Sequence, residues 1–201
     1  FALGAIIWAW INYTWFASAF DTDDWLYRVL TMLQMTGVIV LAIGLPPMFE
    51  SIDHGGHFAS ETMVVGYMIM RIAMIAQWLR ATRDERYRST ARTYLIFISV
   101  AQVVWVLVAF VPMDLLTTLA VAALAWAIEL CGPIIAERRG ARTGAATPWH
   151  PHHIAERYQL LAIVALGETV LGTLSAAQAI SAADGWTFDT IVVIGAGIAM
   201  S

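Results

Sequence analysis

A series of apolar runs, each near the length of a membrane-spanning helix, constrains the fold of this chain more than any other feature. A helix rises about 1.5 Å per residue, so about 20 apolar residues cross the hydrocarbon core of a bilayer. Hydrophobic residues make up 60% of the chain and charged residues only 13%, whereas about 25% of the residues in a soluble domain are charged. The sequence therefore predicts an integral membrane protein.

The predicted fold class is all-α, a polytopic transmembrane bundle of about seven helices whose first and last members are truncated. The predicted helices cover residues 1–19, 24–45, 61–80, 92–110, 112 to about 136, 151–179 and a short segment after 188. Pro46 and Pro47 are expected to end the second helix, and Pro112 to begin the fifth. Gly132 and Pro133 predict a kink or an end in the fifth helix.

The chain begins and stops inside apolar runs and has no initial Met. We therefore expect residues 1–201 to be a single integral-membrane domain taken from a longer protein. All eleven basic residues are arginines, and nine of them lie in the connectors 80–92 and 137–157. Because basic connectors stay on the cytoplasmic side, these two are predicted to be cytoplasmic. The expected location is the bacterial plasma (inner) membrane.

Two charged residues are predicted to lie near the middle of the bilayer. Arg71 is about ten residues into the third helix, and Glu168 is similarly deep in the sixth. Charged side chains at such depth face other helices or water rather than lipid. We expect Arg71 and Glu168 to face each other or to share a polar cavity. The alternative is structural, with each group bonded to neighbouring helices.

The start of the sixth helix carries a cluster of ionisable residues, and His153, Arg157 and Glu168 share one of its faces at 100° per residue. His150, His152, His153 and Glu156 are weak candidates for a metal site, since imidazole suits zinc. The alternative is an interfacial helix cap flanked by prolines. No cofactor is expected.

A second ionisable group precedes the second helix. Asp21, Asp23 and Asp24 are interpreted as an N-cap and first-turn set, with Asp24 and Arg28 spaced i,i+4. The alternative is an acidic vestibule. Glu129, predicted near the inner end of the fifth helix, could pair with Arg157 or Arg28. His54 and His57 fall in a polar loop and are interpreted as solvated rather than catalytic.

Several stretches of the chain resemble the low temperature requirement A (LtrA) family of bacteria. They are Phe20 to Asp24 with Arg28, Gly37 to Pro46, Tyr67 to Arg71 with Trp78 to Ala81, Leu130 to Pro133, and His153 to Arg157 with Leu166 to Glu168. The resemblance implies a multi-pass inner-membrane protein in which Arg71, His153, Glu156, Arg157 and Glu168 match charged motif residues. It names no reaction. The family's acidic-aromatic first-helix motif is absent here, as expected for a fragment.

The favoured interpretation is a transporter or channel-like protein that is coupled to protons through Glu168. Its expected pathway residues are Arg71, Glu129 and, on the sixth helix, His153, Glu156, Arg157 and Glu168. One alternative is an integral-membrane enzyme using His153 and Glu156 at the cytoplasmic interface. Another is a non-catalytic membrane scaffold or stress-response protein. The expected partners are the lipid bilayer, a small solute or ion, and a second copy of the chain. Nucleic acid is not expected to bind.

Overall fold

A computed structural model describes residues 2–53, 61–111, 113–184 and 187–200. Within these ranges it contains seven α-helices: α1 (Ala2–Phe20), α2 (Trp25–Asp53), α3 (Glu61–Ala81), α4 (Arg88–Phe110), α5 (Leu115–Thr143), α6 (Pro151–Asp184) and α7 (Phe188–Met200). The helices α2 to α6 contain stretches long and apolar enough to cross a membrane. The prediction of an all-α bundle with about seven helices is confirmed.

The second helix is longer than predicted. α2 continues through Pro46 and Pro47 to Asp53, so the prediction of a loop beginning at Pro46 was wrong for residues 46–53. Proline is tolerated within membrane helices where neighbouring groups satisfy the freed backbone. Continuation also places Met48 in the core, where its side chain is buried. The rest of the predicted loop, with His54 and His57, lies outside the described residues.

The fifth helix also differs from its prediction at both ends. It begins at Leu115, and the carboxylate of Asp114 accepts a hydrogen bond from the Thr117 backbone N–H at 3.1 Å. Asp114 is therefore the N-cap, whereas Pro112 lies outside the described residues. The helix continues through Pro133 and ends at Gly144, which has a φ of +70°. That left-handed conformation favours glycine.

The chain divides into two compact units, Phe1–Trp149 (unit 1) and His150–Ser201 (unit 2). In unit 1, α3 contacts α2, α4 and α1, and α4 contacts α5. More than half of the apolar stretch of α3 is buried, more than in any other described spanning helix. In unit 2, α6 packs against α7. The interpretation of residues 1–201 as one domain stays a prediction.

Glycine determines how closely α2 approaches α3. A Cβ atom added to Gly37 would lie 2.7 Å from the Gly66 carbonyl oxygen, and one added to Gly66 would meet the backbone of Leu41. Gly44 is similarly close to the backbone of Met63. Small residues permit such close backbone approach between membrane helices.

Two buried hydrophobic clusters fill unit 1. The first includes Leu41, Met63, Tyr67 and Trp105. The second includes Phe16, Trp78 and Tyr94, with the rings of Trp78 and Tyr94 stacked at 4.0 Å between centroids. Along α3, Tyr67 belongs to the first cluster and Trp78 to the second, so the polar residues between them on α3 lie between two apolar clusters.

Candidate functional site

A buried ion pair joins the middle of α3 to the middle of α5. The Arg71 Nη2 lies 2.7 Å from the Glu129 Oε2, and the two side chains are only 2% and 3% exposed. Arg71 cannot lose its proton in a protein, so it needs an anionic partner at this depth. Glu129 supplies that partner.

Four further side chains hold the Glu129 carboxylate. Its Oε2 accepts hydrogen bonds from the Trp8 Nε1–H and the Tyr67 hydroxyl, both at 2.6 Å. Its Oε1 accepts from the Gln102 Nε2 at 3.3 Å and the Trp105 Nε1 at 3.2 Å. With Arg71, donors from α1, α3 and α4 converge on one carboxylate of α5. We refer to Trp8, Tyr67, Arg71, Gln102, Trp105 and Glu129 as the central cluster.

Tyr67 orients Arg71 from one turn earlier on α3. The two residues are spaced i,i+4 and therefore lie on one helix face. The Arg71 Nη2 donates to the Tyr67 hydroxyl oxygen, and the guanidinium carbon lies 4.7 Å from the centroid of the Tyr67 ring. A cation at that distance is attracted by the ring's negative face.

Some buried polar atoms in unit 1 have no protein partner within the described residues. Two belong to the central cluster: Arg71 Nε and Gln102 Oε1. A third is Gln77 Nε2, although the Gln77 Oε1 accepts from the Gln34 Nε2 at 2.7 Å. Two more are Thr14 Oγ1 and Trp10 Nε1 on α1. Buried polar atoms are normally bonded to protein or to ordered water.

A second ion pair closes one end of unit 1. The Arg80 guanidinium donates two hydrogen bonds to the Asp24 carboxylate, one of them at 2.6 Å. Asp24 also caps α2 by accepting from the Tyr27 backbone N–H at 2.9 Å. The Arg80 bond and then the Tyr27 bond lower the pKa of Asp24 from 3.8 to about 2. The expected Asp24–Arg28 pair was wrong, because Arg28 binds Asp23 at 3.1 Å.

The same end of unit 1 contains the start of α4 and the end of α5. The Thr90 hydroxyl donates to the Ala145 carbonyl at 2.7 Å. Glu137 accepts from the Tyr94 hydroxyl at 2.9 Å and from the Thr147 backbone N–H at 3.2 Å. The connectors after α1, α3 and α5 therefore meet at one end.

The predicted residues on α6 belong to unit 2. Glu168 is exposed, and its pairing with Arg71 stays a prediction. His152 lies 3.2 Å from Glu156, with both side chains exposed, and the rings of His150 and His153 contact each other at 5.5 Å. In the part of the chain that the structure describes, no group of three or more His, Cys, Asp or Glu could hold a metal ion.

Glu129 has a partner that the sequence did not predict. It pairs with Arg71 rather than with Arg28; a pairing with Arg157, which belongs to unit 2, stays a prediction. The cause was the predicted end of the fifth helix near Pro133, which put Glu129 close to that end. In the observed helix Leu115–Thr143, Glu129 is central, at a depth comparable to that of Arg71.

Comparison with known proteins places the sequence of this chain in a family. The sequence pattern of the bacterial low temperature requirement A protein matches residues 1–201. The chain belongs to the LtrA family. It is also 30% identical, over 170 residues, to an uncharacterised protein of Rhizobium meliloti (strain 1021). That match covers 83% of this chain and 40% of the relative, so the chain spans about two fifths of the relative's length.

The LtrA assignment agrees with the fold. Five helices long and apolar enough to span a bilayer, together with the family match, make this LtrA chain a multi-pass membrane protein. No solved structure matches the chain. The family name carries no activity, so the function of the LtrA chain has to be argued from the central cluster.

Proposed function

We propose that this LtrA chain is part of a membrane transport protein and that the central cluster is a polar site on the solute pathway. The observation that carries the proposal is the set of buried polar atoms around the ion pair that have no protein partner among the described residues, above all Arg71 Nε and Gln102 Oε1. Inside a bilayer each unsatisfied polar group costs several kcal/mol. Water or a polar solute that reaches these atoms removes that cost.

The buried ion pair itself supports a functional role. Replacing a buried ion pair by apolar side chains of similar volume is often neutral or stabilising, so such a pair is weak evidence for a stabilising role. Arg71 and Glu129 are both almost fully buried. A membrane helix bundle held together only by packing would need neither charge, whereas a pathway for a polar solute needs polar groups at this depth.

Proton coupling is assigned to Glu168 on α6. The two oxygens of Glu129 already accept five hydrogen bonds within the central cluster. Glu168 is exposed in unit 2 and lies in a predominantly apolar helix. Within unit 2, His153, Glu156 and Arg157, at the start of the same helix, are proposed as further pathway residues, and the protein is proposed to form homo-oligomers.

The proposed location is the bacterial plasma membrane, with the connectors 80–92 and 137–157 in the cytoplasm. The positive-inside rule supports this orientation, because nine of the eleven arginines are in these two connectors. The Asp24–Arg80 pair and the Thr90–Ala145 hydrogen bond support it too, since they gather the arginine-rich connectors of unit 1 at one end.

The test is transport by the full-length protein in proteoliposomes, measured as current on a solid-supported membrane. The vesicles are exposed to a panel of amino acids, organic cations and inorganic ions. We expect at least one solute to give a current that Gln102→Leu reduces at least about tenfold, because this variant removes a partnerless acceptor and leaves the ion pair in place. Glu85→Gln, at an 88% exposed side chain, is the matched control.

Glu168→Gln tests the coupling. We expect the current to persist in this variant but to lose its dependence on a pH gradient. If no solute on the panel produces a current, or if Gln102→Leu and the control behave alike, the transport proposal is wrong. A pH dependence that Glu168→Gln leaves unchanged removes the assignment of coupling to Glu168.

A further inference from the structure

Unit 1 contains a small cavity with aromatic walls close to the central cluster. Its volume is about 140 Å³, compared with the roughly 30 Å³ that one water molecule occupies in the liquid. α1, α3 and α4 each contribute aromatic residues, and α5 contributes Pro133. The aromatic residues are Trp8, Trp15, Trp78 and Tyr94. Asn12, between the two tryptophans of α1, is the polar side chain among the lining residues.

We propose that this aromatic cavity binds a small quaternary ammonium cation of about the size of choline. Several aromatic rings around a small volume form the kind of site that recognises such cations, because a ring's negative face attracts a charge that has no hydrogen to donate. The volume suits a cation of few atoms, since pockets for drug-sized ligands are about 300–1,000 Å³. The proposal names the substrate class of the proposed transport function. Only the role of the cation as the transported substrate rests on that function; its binding in the cavity does not.

Two of the four rings are polarised in the direction that favours a cation. The Trp8 Nε1–H donates to the Glu129 carboxylate at 2.6 Å, and the Tyr94 hydroxyl donates to the Glu137 carboxylate at 2.9 Å. A donor bonded to a carboxylate gains electron density, which increases the negative charge on the ring face. Glu137 therefore acts on the occupant through Tyr94, which has one ring face left after stacking on Trp78, whereas the charge of Glu129 is balanced by Arg71.

The charges near the cavity also complement a cation. Glu129, Pro133 and Glu137 are spaced by four residues along α5 and so lie on one face of that helix, with Pro133 at the cavity wall. Arg71 neutralises Glu129. The hydrogen bonds of Glu137 go to the neutral groups of Tyr94 and Thr147, and no ion pair involves it within the described ranges. One negative charge thus remains next to the cavity.

The test is equilibrium binding of choline to the full-length protein in nanodiscs made of phosphatidylethanolamine and phosphatidylglycerol, measured by titration calorimetry. The comparison ligand is 3,3-dimethyl-1-butanol, which has the shape of choline without its charge. We expect choline to bind about 2- to 30-fold more tightly than the alcohol, as cation–π attraction allows. Equal binding of the two ligands, or no binding of choline, overturns the proposal.

Variants locate the site. We expect Trp15→Leu to weaken choline binding at least about fivefold and Trp15→Phe to restore part of it. The control is Trp25→Leu, at a tryptophan that is 74% exposed and lies outside the cavity. Glu137→Gln should weaken binding of choline and leave binding of the alcohol unchanged. If Trp15→Leu and Trp25→Leu have equal effects, choline binds elsewhere and the proposal is wrong.

Two further arms separate the sources of the cation and the two proposals. Nanodiscs containing phosphatidylcholine should leave the affinity for free choline unchanged; competition by this lipid would show that the site reads a lipid headgroup and overturn the assignment to a free solute. Choline binding without any current in proteoliposomes would uphold the cavity and reject transport. Current from another solute, with no choline binding, would uphold transport and reject choline binding in the cavity.

Discussion

Separating the charges of the central cluster should produce unequal losses of stability. Among the described residues, Glu129→Leu leaves the Arg71 guanidinium with only the Tyr67 hydroxyl as a partner. It also removes the acceptor of Trp8 and Trp105. Breaking a buried pair in this way costs about 3–5 kcal/mol in the free energy of unfolding, and we expect the upper end. Arg71→Met leaves the Glu129 carboxylate with its four other donors, so this variant should cost about 3 kcal/mol in the free energy of unfolding.

The double variant isolates the interaction. Because Arg71→Met with Glu129→Leu leaves neither charge unpaired, its cost should fall below the sum of the single costs by about 2–3 kcal/mol. The measurement is unfolding by sodium dodecyl sulphate in mixed micelles, followed by tryptophan fluorescence and by far-ultraviolet circular dichroism. The exposed pair Glu85–Arg88, with an N···O distance of 3.5 Å, serves as the control cycle and should couple by less than about 1 kcal/mol.

Two results would refute this reasoning. If the effects of Arg71→Met and Glu129→Leu add within about 0.5 kcal/mol, the two residues do not interact in the folded protein. If Arg71→Met costs clearly more than Glu129→Leu, the four remaining donors do not hold the carboxylate as the geometry requires.

Three other perturbations test separate contacts. Gly66→Ala should cost about 1–3 kcal/mol of unfolding free energy, since its Cβ would collide with the backbone of α2. The control Gly4→Ala, whose Cβ would make only ordinary contacts, should be neutral or stabilising. Equal effects of the two variants would contradict the close approach of α2 and α3. The pKa of Asp24 is lowered from 3.8 to about 2, so the stability from its contacts is fully present above pH 3.8 and lost as the pH falls towards 2. The melting-temperature deficit of Asp24→Asn should follow that course in thermal scans, and a deficit that stays constant down to pH 2 would exclude it. Gln34→Leu should cost about 1–3 kcal/mol in the free energy of unfolding, because it removes the hydrogen-bond donor of the Gln77 carboxamide oxygen. The double variant with Gln77→Leu should recover most of this loss in the same unfolding assay. No recovery would show that the two glutamines are not coupled.

The apolar runs were sufficient to predict the helices, because in a bilayer the backbone has to satisfy its own hydrogen bonds. They were insufficient to predict the helix ends at proline. Pro46, Pro47 and Pro133 all lie inside helices, since packing against neighbouring helices outweighs the local preference of proline to end a helix. The expected helix end at Pro46 and Pro47 was therefore wrong, and at Pro133 the helix continues where a kink or an end was expected.

The central cluster was half predicted. Arg71 was identified from its depth alone. Glu129 was named as a candidate, but its observed partner Arg71 was not among the partners expected for it. The helix-end error explains this, because shortening α5 moved Glu129 away from the middle of the span. The donors Trp8, Gln102 and Trp105 come from α1 and α4, and the sequence contains no periodicity that relates the rotation of those helices to α5. Such contacts depend on how helices pack, which spacing along one helix does not reveal.

The glycine contact between α2 and α3 limits how an LtrA chain can move. With the backbone of Gly66 against that of Leu41, and Gly44 against Met63, neither helix can slide along or roll over the other without collision of main-chain atoms. In any conformational change, α2 and α3 should therefore move as one rigid unit. Relative movement should instead occur at the side-chain contacts between α3 and its neighbours α1 and α4. A pair of spectroscopic labels across α2 and α3 should report a constant separation, while a pair across α1 and α3 should report a changing one.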